Sequence, residues 1–130
     1  MLTRDQILKT NDIKTKEIQV PEWNDSILIR QLTRGDQDEY MKRQFGKSTI
    51  ENKDKGQKIT EFSIYGHDAW LCTHGICNPD GTLMFGDADI VELKKHNGEV
   101  IGRIAKEILE FSGMVEDAET AATLAEEIKN

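Results

Sequence analysis

The chain has only two prolines and two cysteines, aromatic residues make up 6% of it, and no apolar run is long enough to cross a membrane. Two cysteines cannot build the disulfide framework on which small exported domains depend. The opening Met1-Leu2-Thr3-Arg4-Asp5 lacks the apolar segment of a signal peptide, so the sequence predicts a protein that stays where it is made, with Cys72 and Cys77 as reduced thiols. A surplus of positive charge is also missing. The net charge is -7. Phosphate binding runs on Lys and Arg neutralisation, so nucleic acid is excluded as the expected partner. The mildly basic stretch from Arg34 to Lys58 has no interleaved stacking aromatics and does not change this.

What is present fits one domain over residues 1–130, long enough to bury roughly two thirds of its unfolded surface. The hydrophobic fraction of 37% stands against a charged fraction of 32%, which concentrates apolar side chains on the inner faces of amphipathic elements. Charge is unevenly spread: residues 78–130 hold twelve acidic and five basic side chains, while 33–60 hold five acidic and seven basic.

Local patterns predict the elements. Thr3-Arg4-Asp5-Gln6 has capping-box spacing and starts a short helix through about Leu8. Residues 14–32 read as a β-hairpin, with Ile18/Val20 and Ile27/Ile29 alternating against polar neighbours and Trp23 at the turn. Thr33-Arg34-Gly35-Asp36 repeats the cap and opens a helix ending near Gly46, with Tyr40 and Met41 or Phe45 as its apolar edge. Residues 47–58 are polar apart from Ile50 and predict a mobile loop.

Residues 59–129 predict the helical part: a buried helix from Ile59 to about Ile76, an Asn78-Pro79-Asp80-Gly81 turn, an extended Leu83-Met84-Phe85, and a helix capped by Asp87 running to Lys95. A further helix carries Ile101, Ile104, Ala105, Ile108 and Phe111 at helical spacing and stops at Ser112-Gly113. A last one, over 118–129, would have Ala121, Leu124, Ala125 and Ile128 on one stripe. The expected fold class is therefore α+β, mostly α-helical, with a small N-terminal hairpin packed with about four to six helices.

Candidate chemistry is sparse. His67, Cys72, His74 and Cys77 are metal-capable and close in sequence, but zinc needs its ligands within about 2.0–2.3 Å of one point. On a helix, steps of about 100° set Cys72 opposite His74, and His67 lies about 10 Å from His74 along the axis. Packed cysteines and surface histidines are the simpler reading. Cys72 and His74 diverge as a nucleophile and base for the same reason. Asp80, Asp87 and Asp89 lack the order of a calcium loop and fit turns and caps. No catalytic residue, cofactor site or metal site is expected, and the sequence predicts a non-enzyme that binds other proteins. The candidate contact residues are Trp23, Ala121, Leu124 and Ile128, each of which would equally serve to close the core.

Two blocks carry a family resemblance. Val20-Pro21-Glu22-Trp23 leads into Ile27-Leu28-Ile29-Arg30-Gln31-Leu32-Thr33 and an acidic helix start. Gly75-Ile76-Cys77-Asn78-Pro79-Asp80-Gly81-Thr82-Leu83-Met84-Phe85 is followed by Asp87-Ala88-Asp89-Ile90 and a helix ending Phe111-Ser112-Gly113. In this order they resemble the tail assembly chaperones of long-tailed bacteriophages and prophages. The resemblance implies a non-catalytic protein that coats the tape measure protein and keeps it soluble. It also implies help in recruiting tail tube subunits, self-association, and a longer form made by ribosomal frameshifting. Such a protein would act in the cytoplasm of the bacterial host and be absent from the mature virion. The alternatives are a structural virion protein, at the head-tail joint or as a minor tail component, and an acidic DNA-mimic inhibitor. The second is disfavoured because the acids are interspersed with Lys and Arg.

Overall fold

A computed structural model describes residues 1–46 and 67–114. In chain order these form α1 (Arg4–Lys9), β1 (Thr15–Val20), a 3-10 turn (Pro21–Trp23), β2 (Asp25–Arg30) and α2 (Arg34–Met41), which continues as a π-helical turn (Lys42–Gly46). Then follow α3 (Asp68–Gly75), β3 (Ile76–Cys77), a 3-10 turn (Asp87–Asp89), α4 (Ile90–Leu93) and α5 (Gly98–Phe111). The architecture is α+β and mostly helical. The expected loop at 47–58, the first half of the helix expected from Ile59, and the expected helix at 118–129 lie outside the described residues.

Both expected capping boxes form. The Gln6 amide donates to Thr3 Oγ1 at 3.3 Å and the Thr3 amide to Gln6 Oε1 at 3.0 Å. In α2 the Asp36 amide donates to Thr33 Oγ1 at 3.0 Å and the Thr33 amide to Asp36 Oδ2 at 3.2 Å. Each pairing satisfies two backbone donors that a helix start leaves open. At the other end of the chain, α5 stops in a Schellman motif: Gly113 takes φ 75°, and the Met114 and Gly113 amides donate to Leu109 and Glu110 carbonyls at 2.9 and 3.1 Å.

The hairpin is part of a three-stranded antiparallel sheet of order β1-β2-β3. Ile18 pairs with Ile27 across its first ladder, and Leu28 and Ile29 pair with Cys77 and Ile76 across the second. The expectation of helix through Ile76 is therefore corrected. The helix ends at Gly75, and Ile76, a β-branched residue, takes extended backbone against a buried strand. Helical backbone at Ile76 would leave Ile29 and Leu28 without that neighbour.

The core lies between the sheet and the α3/α5 pair. Val20, Ile29, Leu71, Ile76, Val100, Ile104 and Ile108 are fully buried, as is Cys72. Ile101, Ile104, Ala105 and Ile108 face inward from α5, as their spacing predicts, while Phe111 is half-buried at its edge. Gly75 permits the close approach of the two helices: a Cβ there would run into the Ile108 side chain. Thr73, the one buried polar residue among the described ones, donates its hydroxyl to the Ala69 carbonyl at 2.9 Å.

The Asn78-Pro79-Asp80-Gly81 turn forms as expected. Gly81 takes φ 90° and its amide donates to the Asn78 carbonyl at 2.8 Å. Leu83 then bridges back to Cys77. The expected Asp87 cap is replaced: the cap position is Gly86, whose amide donates to Asp89 Oδ2 at 2.9 Å, and Asp87 lies inside the 3-10 turn. Asp87 faces His74 instead, so its carboxylate is committed to a residue of α3 and not to its own helix start.

Candidate functional site

A polar cluster gathers at the C-terminal end of α3. Arg30 of β2 donates from Nε to the His74 carbonyl and from Nη2 to Asp36 Oδ2, both at 2.8 Å. Asp36 Oδ1 is 3.2 Å from His74 Nδ1, and Asp87 Oδ1 is 3.2 Å from His74 Nε2. Trp70 stacks on the His74 ring with centroids 4.2 Å apart, and the Arg43 guanidinium lies 5.1 Å from the Trp70 ring centre. The cluster ties β2, α2, α3 and the 3-10 turn together. Each group is already committed, since Asp36 caps α2 and Arg30 holds both a carbonyl and a carboxylate. Its chemistry is that of a fastener.

The thiols are equally committed. Cys72 is buried, with its Sγ 3.8 Å from the Ile101 carbonyl, and burial, with Asp68 nearby, pushes its thiol up to about 12. Cys77 is buried against β2, and its thiol is also raised, first by desolvation. Neither is a thiolate nucleophile at neutral pH. Among the described residues no three His, Cys, Asp or Glu side chains come together as a metal site. His74, expected at the surface, is mostly covered, with only 20% of its side chain exposed. Asp80 Oδ1 accepts from the Thr82 amide and hydroxyl at 2.9 and 2.6 Å, which lowers its carboxyl, so it serves the turn.

The exposed apolar side chains are the other feature, and the hairpin tip presents one of them on a fixed mount. Pro21 sets the first turn position, Asn24 takes the left-handed conformation at φ 58°, and the Asn24 amide donates to the Pro21 carbonyl at 3.0 Å. Glu22 grips Arg103 of α5 through two hydrogen bonds, Nη1 to Oε2 at 2.8 Å and Nη2 to Oε1 at 2.6 Å. The Arg103 hydrogen bonds pull the Glu22 carboxyl down to about 2. Trp23 then meets the His96 ring edge-on at 5.8 Å and remains 36% exposed. It is neither fully lid nor fully free: most of it is covered and about a third faces solvent.

Trp23 is thus the expected contact residue that the structure places. Ala121, Leu124 and Ile128 lie outside the described residues. A second apolar surface escaped the sequence reading. Leu2, Ile7 and Leu8 are 68%, 57% and 66% exposed, and no residue of α1 is buried. Leu2 and Ile7 occupy the two positions of a hydrophobic staple around the Thr3 cap, a signal already contained in the capping box. Leu83, Met84 and Val91 are also exposed, around the 3-10 turn and α4.

A family model described as phage tail assembly chaperone matches residues 3–123. No curated protein matches the sequence. Among solved structures, the bacteriophage HK97 tail assembly chaperone is similar at 16% identity and a TM-score of 0.47, over 88% of this chain and 94% of that one. A likeness at that level adds nothing to the fold described above.

Proposed function

Since the chain belongs to the phage tail assembly chaperone family, we propose that it binds the tape measure protein, keeps it soluble, and helps to recruit tail tube subunits during tail assembly. Family membership implies a non-catalytic role, and the commitment of Cys72, His74, Asp36 and Arg30 to packing supports the same reading. The observation that carries the proposal is large apolar side chains left at the surface beside the buried core of the described residues, with Trp23 held in place by the Glu22–Arg103 pair. Exposed aromatics on a rigid mount are suited to anchoring another chain. A long helical partner with apolar stripes would be shielded by such contacts.

The contact residues proposed are Trp23, Ala121, Leu124 and Ile128. Tail tube protein, further copies of this chain and a longer frameshifted form of it complete the partner set. No helix among the described residues is long and apolar enough to cross a membrane. The proposed place of action is the host cytoplasm, with the protein left out of the finished virion.

The test is co-expression with the tape measure protein encoded nearby, followed by pull-down and a solubility assay. The long protein should become soluble and co-purify with many copies of this one. Failure to bind or solubilise, even with the longer form supplied, would reject the proposal. Recovery of this chain from purified particles would instead favour a structural virion component.

A further inference from the structure

A neutral imidazole carries a hydrogen on one ring nitrogen, whereas an imidazolium carries one on each. At His74 a carboxylate oxygen stands 3.2 Å from both nitrogens, Asp36 Oδ1 from Nδ1 and Asp87 Oδ1 from Nε2. Only the protonated ring offers a hydrogen to both. The arrangement is also sheltered, because Trp70 stacks on the ring and only 20% of the His74 side chain is exposed.

The two carboxylates are held unequally. Asp36 is 15% exposed, and its Oδ2 accepts from Arg30 Nη2 at 2.8 Å and from the Thr33 amide at 3.2 Å, so it cannot turn away without giving up the cap of α2. Asp87 is 74% exposed, and His74 is the one hydrogen-bond partner of its carboxylate among the described residues. When the ring loses a proton, the remaining hydrogen stays on Nδ1, because a lone pair there would face a fixed and largely desolvated carboxylate. The Nε2 lone pair then faces Asp87, which moves into water at little cost. The other charges at the cluster are Arg30 of β2, which donates from Nε to the His74 carbonyl, and Arg43 of the π-helical turn, over the Trp70 ring. Arginine keeps its charge throughout, and histidine is the side-chain type whose charge ordinarily changes between about pH 5 and 8.

We propose that His74 is a pH-sensitive clasp: the protonated ring fastens the 3-10 turn Asp87–Asp89 to the end of α3, and loss of the proton releases Asp87 while Asp36 stays in place. The turn has little else to hold it. Its other hydrogen bonds are internal, from the Gly86 amide to Asp89 Oδ2 and from the Asp89 amide to the Gly86 carbonyl, both at 2.9 Å. Phe85 and Ile90 pack against the core on either side, so the release is confined to residues 86–89. This turn joins the exposed Leu83 and Met84 to the exposed Val91, and the clasp stiffens that stretch of surface on the acid side of the ring's titration. The inference goes beyond the chaperone reading and needs no tail protein to be tested.

The experiment is amide NMR relaxation on the full chain at about pH 5 and about pH 8, with the His74 ring signal followed in the same samples. In the wild type the order parameters of residues 87–89 should fall from about 0.85 at the lower pH toward 0.6 at the higher, in step with the ring signal, while the amides of residues 33–37 stay rigid. Both His74→Gln and Asp87→Asn should abolish the difference between the two pH values, the second with the ring still present. A turn equally rigid at both pH values overturns the proposal. So does loosening at residues 33–37 in place of 87–89, or a fall that persists undiminished in Asp87→Asn. Because Asp87 is exposed, that variant carries the test alone if His74→Gln does not fold.

Discussion

The helices α1 and α2 begin with the same device and end in opposite circumstances. Thr3 with Gln6 and Thr33 with Asp36 both close a full capping box. In α2 the capping carboxylate also binds Arg30 at 2.8 Å and faces His74, and Tyr40 is buried, stacked 6.2 Å from Trp70. In α1 the capping amide has no partner beyond Thr3 among the hydrogen bonds of the described residues, and nothing is buried. A cap decides where a helix starts. Side chains from elsewhere in the chain decide whether it belongs to the cooperative core.

The largest effect should come from the side of this comparison where packing is closest. Ile108 is fully buried and lies where a Cβ on Gly75 would have to go. Ile108→Ala should cost about 2–5 kcal/mol, and Gly75→Ala about 1–3 kcal/mol through overpacking, both read from urea denaturation. In either variant, labelling of Cys72 by a thiol reagent should speed up in proportion to the loss, because a buried thiol held up to about 12 reacts only when the core opens. Labelling of Cys72 at the rate of a free thiol in the wild type would contradict its place in the core.

Next come the two caps themselves. Thr33→Ala should lower global stability by about 1 kcal/mol. Thr3→Ala should leave the urea midpoint unchanged and abolish protection only in the amides of α1. Equal shifts in the midpoint for both variants would show that α1 unfolds together with the core and would erase the contrast between the two helices.

Much of this was legible in the sequence because it is local. The caps at Thr3 and Thr33, the Pro79-Asp80-Gly81 turn, the apolar stripe of α5 and its stop at Gly113 each need only a few neighbouring residues, and each forms as read. What was missed depends on residues far apart. Ile76 and Cys77 become strand only because Ile29 and Leu28 offer an edge. Asp87 leaves its expected cap for His74 of another helix. Glu22 and Arg103 are 81 positions apart, and no spacing rule connects them. For the contact surface, the place of Trp23 at a turn points to it locally, whereas the Leu2/Ile7 staple marks a helix start without saying whether its apolar side is covered.

Truncating the tip residue tests function more than fold. Trp23 keeps one edge on His96 and is 36% exposed, so Trp23→Ala should cost stability only modestly, about 1 kcal/mol. It should reduce recovery of the tape measure protein in the co-expression assay by far more than that loss explains. A matched substitution at the exposed Val91 serves as the control for apolar surface in general. Equal effects at the two sites would mean that the hairpin tip is not a distinct anchor.

The smallest effect concerns what holds that tip in place. Glu22 and Arg103 are both solvent-exposed, so their pair adds little to global stability and serves chiefly to fix where the hairpin tip lies. The sign of its pH dependence follows from the direction of the shift. The Glu22 carboxyl is lowered from 4.5 to about 2 by Arg103, so its contribution is fully present above 4.5 and is lost as pH falls toward 2. Glu22→Gln should therefore melt slightly below the wild type at pH 7, and the gap between the two melting temperatures should close as pH drops through that window. Arg103→Gln should show the same closing gap, since it removes the other half of the same pair. A gap that stayed constant down to pH 2 would mean that the hairpin tip is held by the Trp23–His96 contact, which reaches the turn before α5, and by the backbone alone, and that the ion pair is dispensable for presenting Trp23.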